Sequence, residues 1–176
     1  MTVPAPSDDT QDFWPLKVVL RRKRIERGRW EADSWSVATV ESDRGQHRAQ
    51  QRVEEVPAVD QQQDYCWSGL GLELYRDERA AYRFNLSAAQ PRLFVICTAD
   101  EEREGMMRPY LVSASQDAAS SYMDGGDEDV FSVPMPNAVQ CWIEAFIARH
   151  GEPDLELAKG KRRRYRGGRK QEAGDA

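Results

Sequence analysis

A chain of 176 residues with 25 Lys and Arg against 30 Asp and Glu, net −5, is the size of one domain with flexible ends. It has no apolar run of bilayer length, which argues against a helical span, and its three widely spaced cysteines argue against a disulfide framework. Residues 159–176 hold 8 basic and 2 acidic residues while residues 1–158 hold 17 and 28, so an acidic body carries a basic tail, unlike a nucleic-acid-binding domain whose body is itself basic.

Residues 1–13, rich in Pro, Ser, Asp and Gln, are predicted to be disordered. They lack a basic-then-apolar leader, so a bacterial cytoplasmic location is expected. Leu16, Val18 and Leu20 alternate toward Ile25 as a first strand and run into the basic stretch Arg21 to Arg24. Gly28 marks a turn. Trp35 to Glu41 returns as a second strand with Trp35, Val37 and Thr39 inward. Ser42 to Gln51 reads as a long polar loop, Val53 to Val59 as a weak strand, and Gln61 to Asp64 as a second loop.

From Gly69 to Ser87 the alternation is regular. Leu70, Leu72 and Leu74 predict one half-buried strand, and Tyr82, Phe84 and Leu86 predict its hairpin partner across the polar turn Arg76 to Arg79. Arg92 to Thr98 is a continuous run of β-formers, as in a central strand buried on both sides. An acidic turn, Asp100 to Gly105, leads to a strand over Arg108 to Ala114.

Two helices are predicted. Ser115 caps the first, with Ala118, Ala119, Tyr122 and Met123 inward and Gly125 at its stop. In the second, Val139, Trp142, Ile143, Phe146 and Ile147 fall on one stripe. Pro136 precedes that helix, Arg149 and His150 suit the dipole of its last turn, and Gly151 ends it. Asp129 to Val133 is a short strand between the two. The expected fold is α+β: a curved, mainly antiparallel sheet or half-barrel of about six to seven strands, with two helices in its C-terminal half. Its domain spans residues 14–153, and residues 154–176 form a disordered basic tail.

The residues point to no reaction, so the protein is read as leaning away from an enzyme, with no catalytic residue, metal or cofactor assigned. His47 sits in a polar loop and His150 at a helix end, so neither makes a metal cluster. Asp124-Gly-Gly-Asp-Glu-Asp lacks the alternating ligands and closing Glu of a calcium loop. Gly-x-Ser-x-Gly is absent. Gly69-Leu-Gly-Leu leads into a strand rather than a helix, so it does not cradle phosphate. Cys66, Cys97 and Cys141 read as reduced core thiols.

Basic and aromatic residues are the remaining signal. Arg21, Arg22 and Arg24 adjoin Trp30 and Trp35, and Arg76 and Arg83 are placed on the same sheet face as candidates for partner binding. In the tail, Lys161, Arg162, Arg163, Arg164 and Arg166 suit an acidic protein, RNA or an anionic membrane. A lone Tyr165 offers little base stacking.

Several segments follow in a set order: Val18-Val-Leu-Arg-Arg-Lys-Arg with Trp30 and Trp35, Leu72-Glu-Leu-Tyr-Arg-Asp-Glu with Tyr82, and Asn85-Leu-Ser. Further on come Arg108-Pro-Tyr-Leu-Val-Ser-Ala-Ser, Tyr122-Met-Asp-Gly-Gly-Asp-Glu, Val133-Pro-Met-Pro, then Trp142, Phe146 and His150. In this order they resemble a bacterial family, domain of unknown function 3305, and the resemblance covers residues 16–166. It implies an accessory role beside a molybdenum-dependent formate dehydrogenase, in assembly, maturation or stability, through a protein partner such as a subunit of that enzyme. The alternatives are a nucleic-acid-binding regulator using the basic tail and an enzyme acting on the molybdenum cofactor.

Overall fold

Phe13–Arg27 (β1) and Trp30–Ser42 (β2) pair antiparallel and turn at Gly28, whose φ of 62° suits a residue without Cβ. The structure, a computed structural model, describes residues 12–43, 51–157 and 159. Most of the predicted 42–51 loop, His47, and Lys161, Arg162, Arg163, Arg164 and Arg166 of the tail therefore lie outside the described residues.

Arg52–Val59 (β3) and Gln62–Glu73 (β4) form a second hairpin. The loop predicted over Gln61–Asp64 is instead the end of a tight turn and the start of β4. Asp60 and Gln61 both take positive φ, 50° and 61°, the geometry that matches a two-residue turn to strand twist. Arg92–Ala99 (β5), Met107–Ser113 (β6) and Asp129–Pro134 (β7) complete the strands. The helices include Arg79–Leu86 (α1), Gln116–Met123 (α2) and Asn137–His150 (α3), with a 3₁₀ turn over Arg76–Glu78 before α1.

The strand order is β2-β1-β4-β6-β5-β7, with β3 beside β4. Every pairing is antiparallel except β4 with β6. β2 and β7, at the two ends of that order, come into contact, so the curved sheet nearly closes into a half-barrel. The fold is α+β, as the alternation predicts.

Register explains the departures. A bulge at Val19/Leu20 in the β1–β2 ladder sets Leu20 opposite Val37 but Val18 opposite Val40. One extra residue flips the faces beyond it, so Val40 points inward and Thr39 is exposed, against the prediction. The glycine pair is structural. Gly69, with φ 81°, sits where β1 and β4 slip register between Leu16 and Val18. A Cβ on Gly71 would lie 2.1 Å from the Phe13 ring, so the glycine makes room for that ring.

The predicted strand over Tyr82–Leu86 is a helix. Tyr82 and Asn85 are buried while Phe84 is exposed, a period of three to four rather than two. The Tyr82 hydroxyl donates to Glu78 one turn back at 2.7 Å and accepts from the Tyr75 backbone N–H at 3.0 Å. The Asn85 amide donates to the Arg92 and Ala114 carbonyls and accepts from the Arg92 N–H. That amide stitches α1 onto β5 and the end of β6.

Leu16, Val18, Leu20, Leu72, Leu93 and Val95 build one core with Val139, Ile143, Phe146 and Ile147 of α3. Each such side chain contributes about 1.5–3 kcal/mol when removed from water. Trp142 is half-buried against Trp14, ring centres 5.3 Å apart. Ile96 faces away from this core and is buried too, so β5 is covered on both faces; α2 packs on β5, β6 and β7. Ser115 caps α2 by accepting from the Ala118 N–H at 3.2 Å. Met123, predicted inward, is 64% exposed, because only Ala119 of the short α2 is fully covered.

Candidate functional site

β1 continues seven residues past Leu20, the last of its buried side chains, or about 23 Å at ~3.3 Å per residue. β2 continues with it, and β3 and β4 flank its base, so a ribbon projects from the half-barrel. The basic run of the sequence lies on this ribbon, and its frame is pinned by specific pairs. Arg21 makes a two-pronged contact with Asp64, Nε and Nη2 each 2.8 Å from a carboxylate oxygen. Those hydrogen bonds hold the Asp64 carboxyl below the usual carboxylate range, against the opposing effect of burial. Arg24 pairs with Glu31 across the hairpin.

Opposed residues in an antiparallel ladder share a face. Arg22, Trp35 and Gln63 are opposed, next to Leu20, Val37 and Tyr65 on the same, inner face. There the Arg22 guanidinium lies 5.8 Å from the Trp35 ring centre and 5.5 Å from that of Tyr65, and the rings are 5.7 Å apart. Burial pushes the Tyr65 phenol up, with Arg22 opposing and Glu55 and Asp33 reinforcing. The inner face is therefore an aromatic and arginine cluster with carboxylates around it. Trp35 and Arg22 are half-buried and closely held, whereas Trp30 at the ribbon end is 81% exposed.

Arg76 and Arg83 are not on this face, contrary to the sequence-based placement. The chain reaches α1 only after β4 has run to its far end, where Glu73 pairs with Phe13. Arg83 makes ion pairs with Glu144 at 2.8 Å and Glu152 at 2.6 Å, joining α1 to the end of α3, and these hold its guanidinium charged. Arg79 donates to the His150 and Gly151 carbonyls and so caps the C-terminus of α3. Arg76 lines a shallow groove of about 270 Å³ with Asp77, Arg79, Pro153, Asp154 and Leu157. These arginines hold or border the helical end of the molecule, opposite the ribbon.

The cysteines divide. Cys97 is buried, and burial pushes its thiol up to about 12. Cys66 is half-buried and raised by the same cause. Cys141, predicted to be a core thiol, is exposed because it falls between the buried positions Val139 and Ile143 of α3. Among the described residues, no group of three or more His, Cys, Asp or Glu is placed to hold a metal. No helix among them is long and apolar enough to cross a membrane.

Sequence reading missed Asp64, Tyr65, Arg27, Arg29, Ile25, Val56 and Val59 as ribbon residues. Arg27 and Arg29 flank the Gly28 turn, which was a usable signal. The others depend on which strand lies beside which. A family model described as "Protein of unknown function (DUF3305)" matches residues 15–163, a span that includes the half-barrel, the ribbon and α3. No curated protein and no solved structure matches the chain.

Proposed function

The chain belongs to the DUF3305 family, and from that premise we propose that it is a non-enzymatic accessory protein that binds a protein partner through the inner face of its ribbon. The observation that carries this reading is the Arg22–Trp35–Tyr65 cluster, surrounded by Arg24, Glu31 and Asp33. Arginine and aromatic side chains held in place by their neighbours are the residue types that concentrate binding energy at protein interfaces. They lose little side-chain entropy on association because they are already ordered. The partner in this proposal is a subunit of a molybdenum-dependent formate dehydrogenase, and the role its assembly, maturation or stability, as the resemblance implies.

The test is affinity capture of the tagged full-length protein from its native cells, wild type beside Arg22→Glu, read by mass spectrometry. Recovery of dehydrogenase subunits with the wild type and their loss with the variant is the expected result. Recovery of ribosomes and nucleic acid alone, falling away steeply with added salt, would replace this reading with the nucleic-acid one.

A further inference from the structure

The two faces of the ribbon differ in chemistry. Register puts Lys23, Ile25 and Arg27 of β1 on the outer face with Trp30, Ala32 and Ser34 of β2. On the same face, Val56 lies opposite Asp64 and Val59 opposite Gln62. Trp30 is 81% exposed, Val59 67%, Val56 40% and Ile25 38%. The acidic residues at the end of the β1–β2 hairpin, Glu26, Glu31 and Asp33, all fall on the inner face. On the outer face Asp64 is occupied by Arg21, Glu54 lies back at the base of the ribbon opposite Cys66, and Asp60 sits in the β3–β4 turn, short of the projecting end. Among the described residues Lys23, Arg27 and Arg29 make no ion pair. A protein whose first 158 residues carry an excess of 11 negative charges thus presents, at its most projecting end, one face that is apolar and positive.

We propose that this outer face is a peripheral docking site for an anionic lipid surface. The Trp30 indole enters the bilayer interface, where amphipathic rings are favoured. Ile25 and Val59 follow at the acyl boundary, and Lys23, Arg27 and Arg29 bind headgroup phosphates. A lipid surface suits the geometry better than a protein surface. The apolar side chains come from two hairpins that end at different heights: the β3–β4 turn lies level with Lys23 and Arg24, and the β1–β2 turn is further out. A fluid interface accepts groups at staggered depths without a complementary shape. The inner face stays free for the protein partner, so this site stands independently of it.

The experiment is co-sedimentation of the full-length protein with vesicles of phosphatidylcholine containing a quarter phosphatidylglycerol, beside vesicles of phosphatidylcholine alone. The wild type is expected to sediment with the anionic vesicles and not the neutral ones. Trp30→Ala is expected to lower binding several-fold, and Arg27→Glu combined with Arg29→Glu to abolish it. All these side chains are exposed, and an unchanged melting temperature verifies that the variants fold. Absence of sedimentation overturns the proposal. Equal sedimentation of wild type and both ribbon variants also overturns it, assigning the binding to the basic tail. Loss of captured protein partner in the ribbon variants without any vesicle binding would make the outer face a protein interface instead.

Discussion

At the scale of single residues, ionisation and access are set by neighbours distant in the chain. Asp64 has its pKa depressed by Arg21, 43 positions away. A carboxylate with a depressed folded-state pKa adds stability above its unfolded value, near ~3.9, and loses it as pH falls through the folded value. Asp64→Asn should therefore lower the melting temperature at neutral pH and flatten its acid dependence below about pH 4. Melting curves across pH check this; parallel curves for wild type and variant would remove the pair from the account of acid stability. Thiol access is a second readout. Cys141 should be alkylated readily in the native protein, Cys66 slowly, and Cys97 only on unfolding, since it is buried and its thiolate is disfavoured. Mass-spectrometric timing of labelling distinguishes the three.

At the scale of elements, α3 was legible and α1 was not. The five apolar residues of α3 repeat over two turns between a proline and a glycine, more periods than a strand could imitate. α1 is eight residues long, and Tyr82, Phe84 and Leu86 satisfy an alternating pattern within it. What selects the helix is Asn85, whose partners on Arg92 and Ala114 exist only once β5 and β6 are in place. Asn85→Ala leaves two carbonyls and one N–H without that partner in a buried site, and should cost about 2–3 kcal/mol in denaturant unfolding. A loss under about 0.5 kcal/mol would show that α1 docks without it. At the cap of α2, Ser115→Ala should cost about 1 kcal/mol by the same measurement.

At the scale of the whole molecule, the core and the ribbon are segregated. The core lies between the sheet and α3, and the ribbon beyond Leu20 buries no side chain of β1 or β2 completely. Replacing residues 25–32 with Asn-Gly would join Arg24 to Asp33, which are already opposed, through a favoured two-residue turn. The shortened protein should melt within a few degrees of the wild type and lose vesicle binding. Phe146→Ala, in the core, should cost about 3–5 kcal/mol. A ribbon deletion as damaging as Phe146→Ala would mean that the ribbon is part of the folding unit.

The sequence by itself determined the α+β class, the strands β1, β2, β3, β5, β6 and β7, the Leu70–Leu72 end of β4, the capped α2, and α3 with its buried stripe. Each of these is encoded by local periodicity and by turn or cap residues inside its own segment. It also marked Arg22 and Trp35 as neighbours, because they sit on one hairpin, whereas Trp30, named with them, falls on the other face at the ribbon end. Tertiary structure alone decided the parallel contact of β4 with β6, the two bulges that reset the faces of β1, β2 and β4, the helical state of α1, and the removal of Arg76 and Arg83 to the opposite end. It alone put the Arg22–Trp35–Tyr65 cluster and the Arg24–Glu31 pair on one face of the ribbon, and Trp30, Ile25, Lys23 and Arg27 with the Arg21–Asp64 pair on the other. Those outcomes depend on ladder register between strands far apart in sequence, and a one-residue slip exchanges the faces without changing any local pattern.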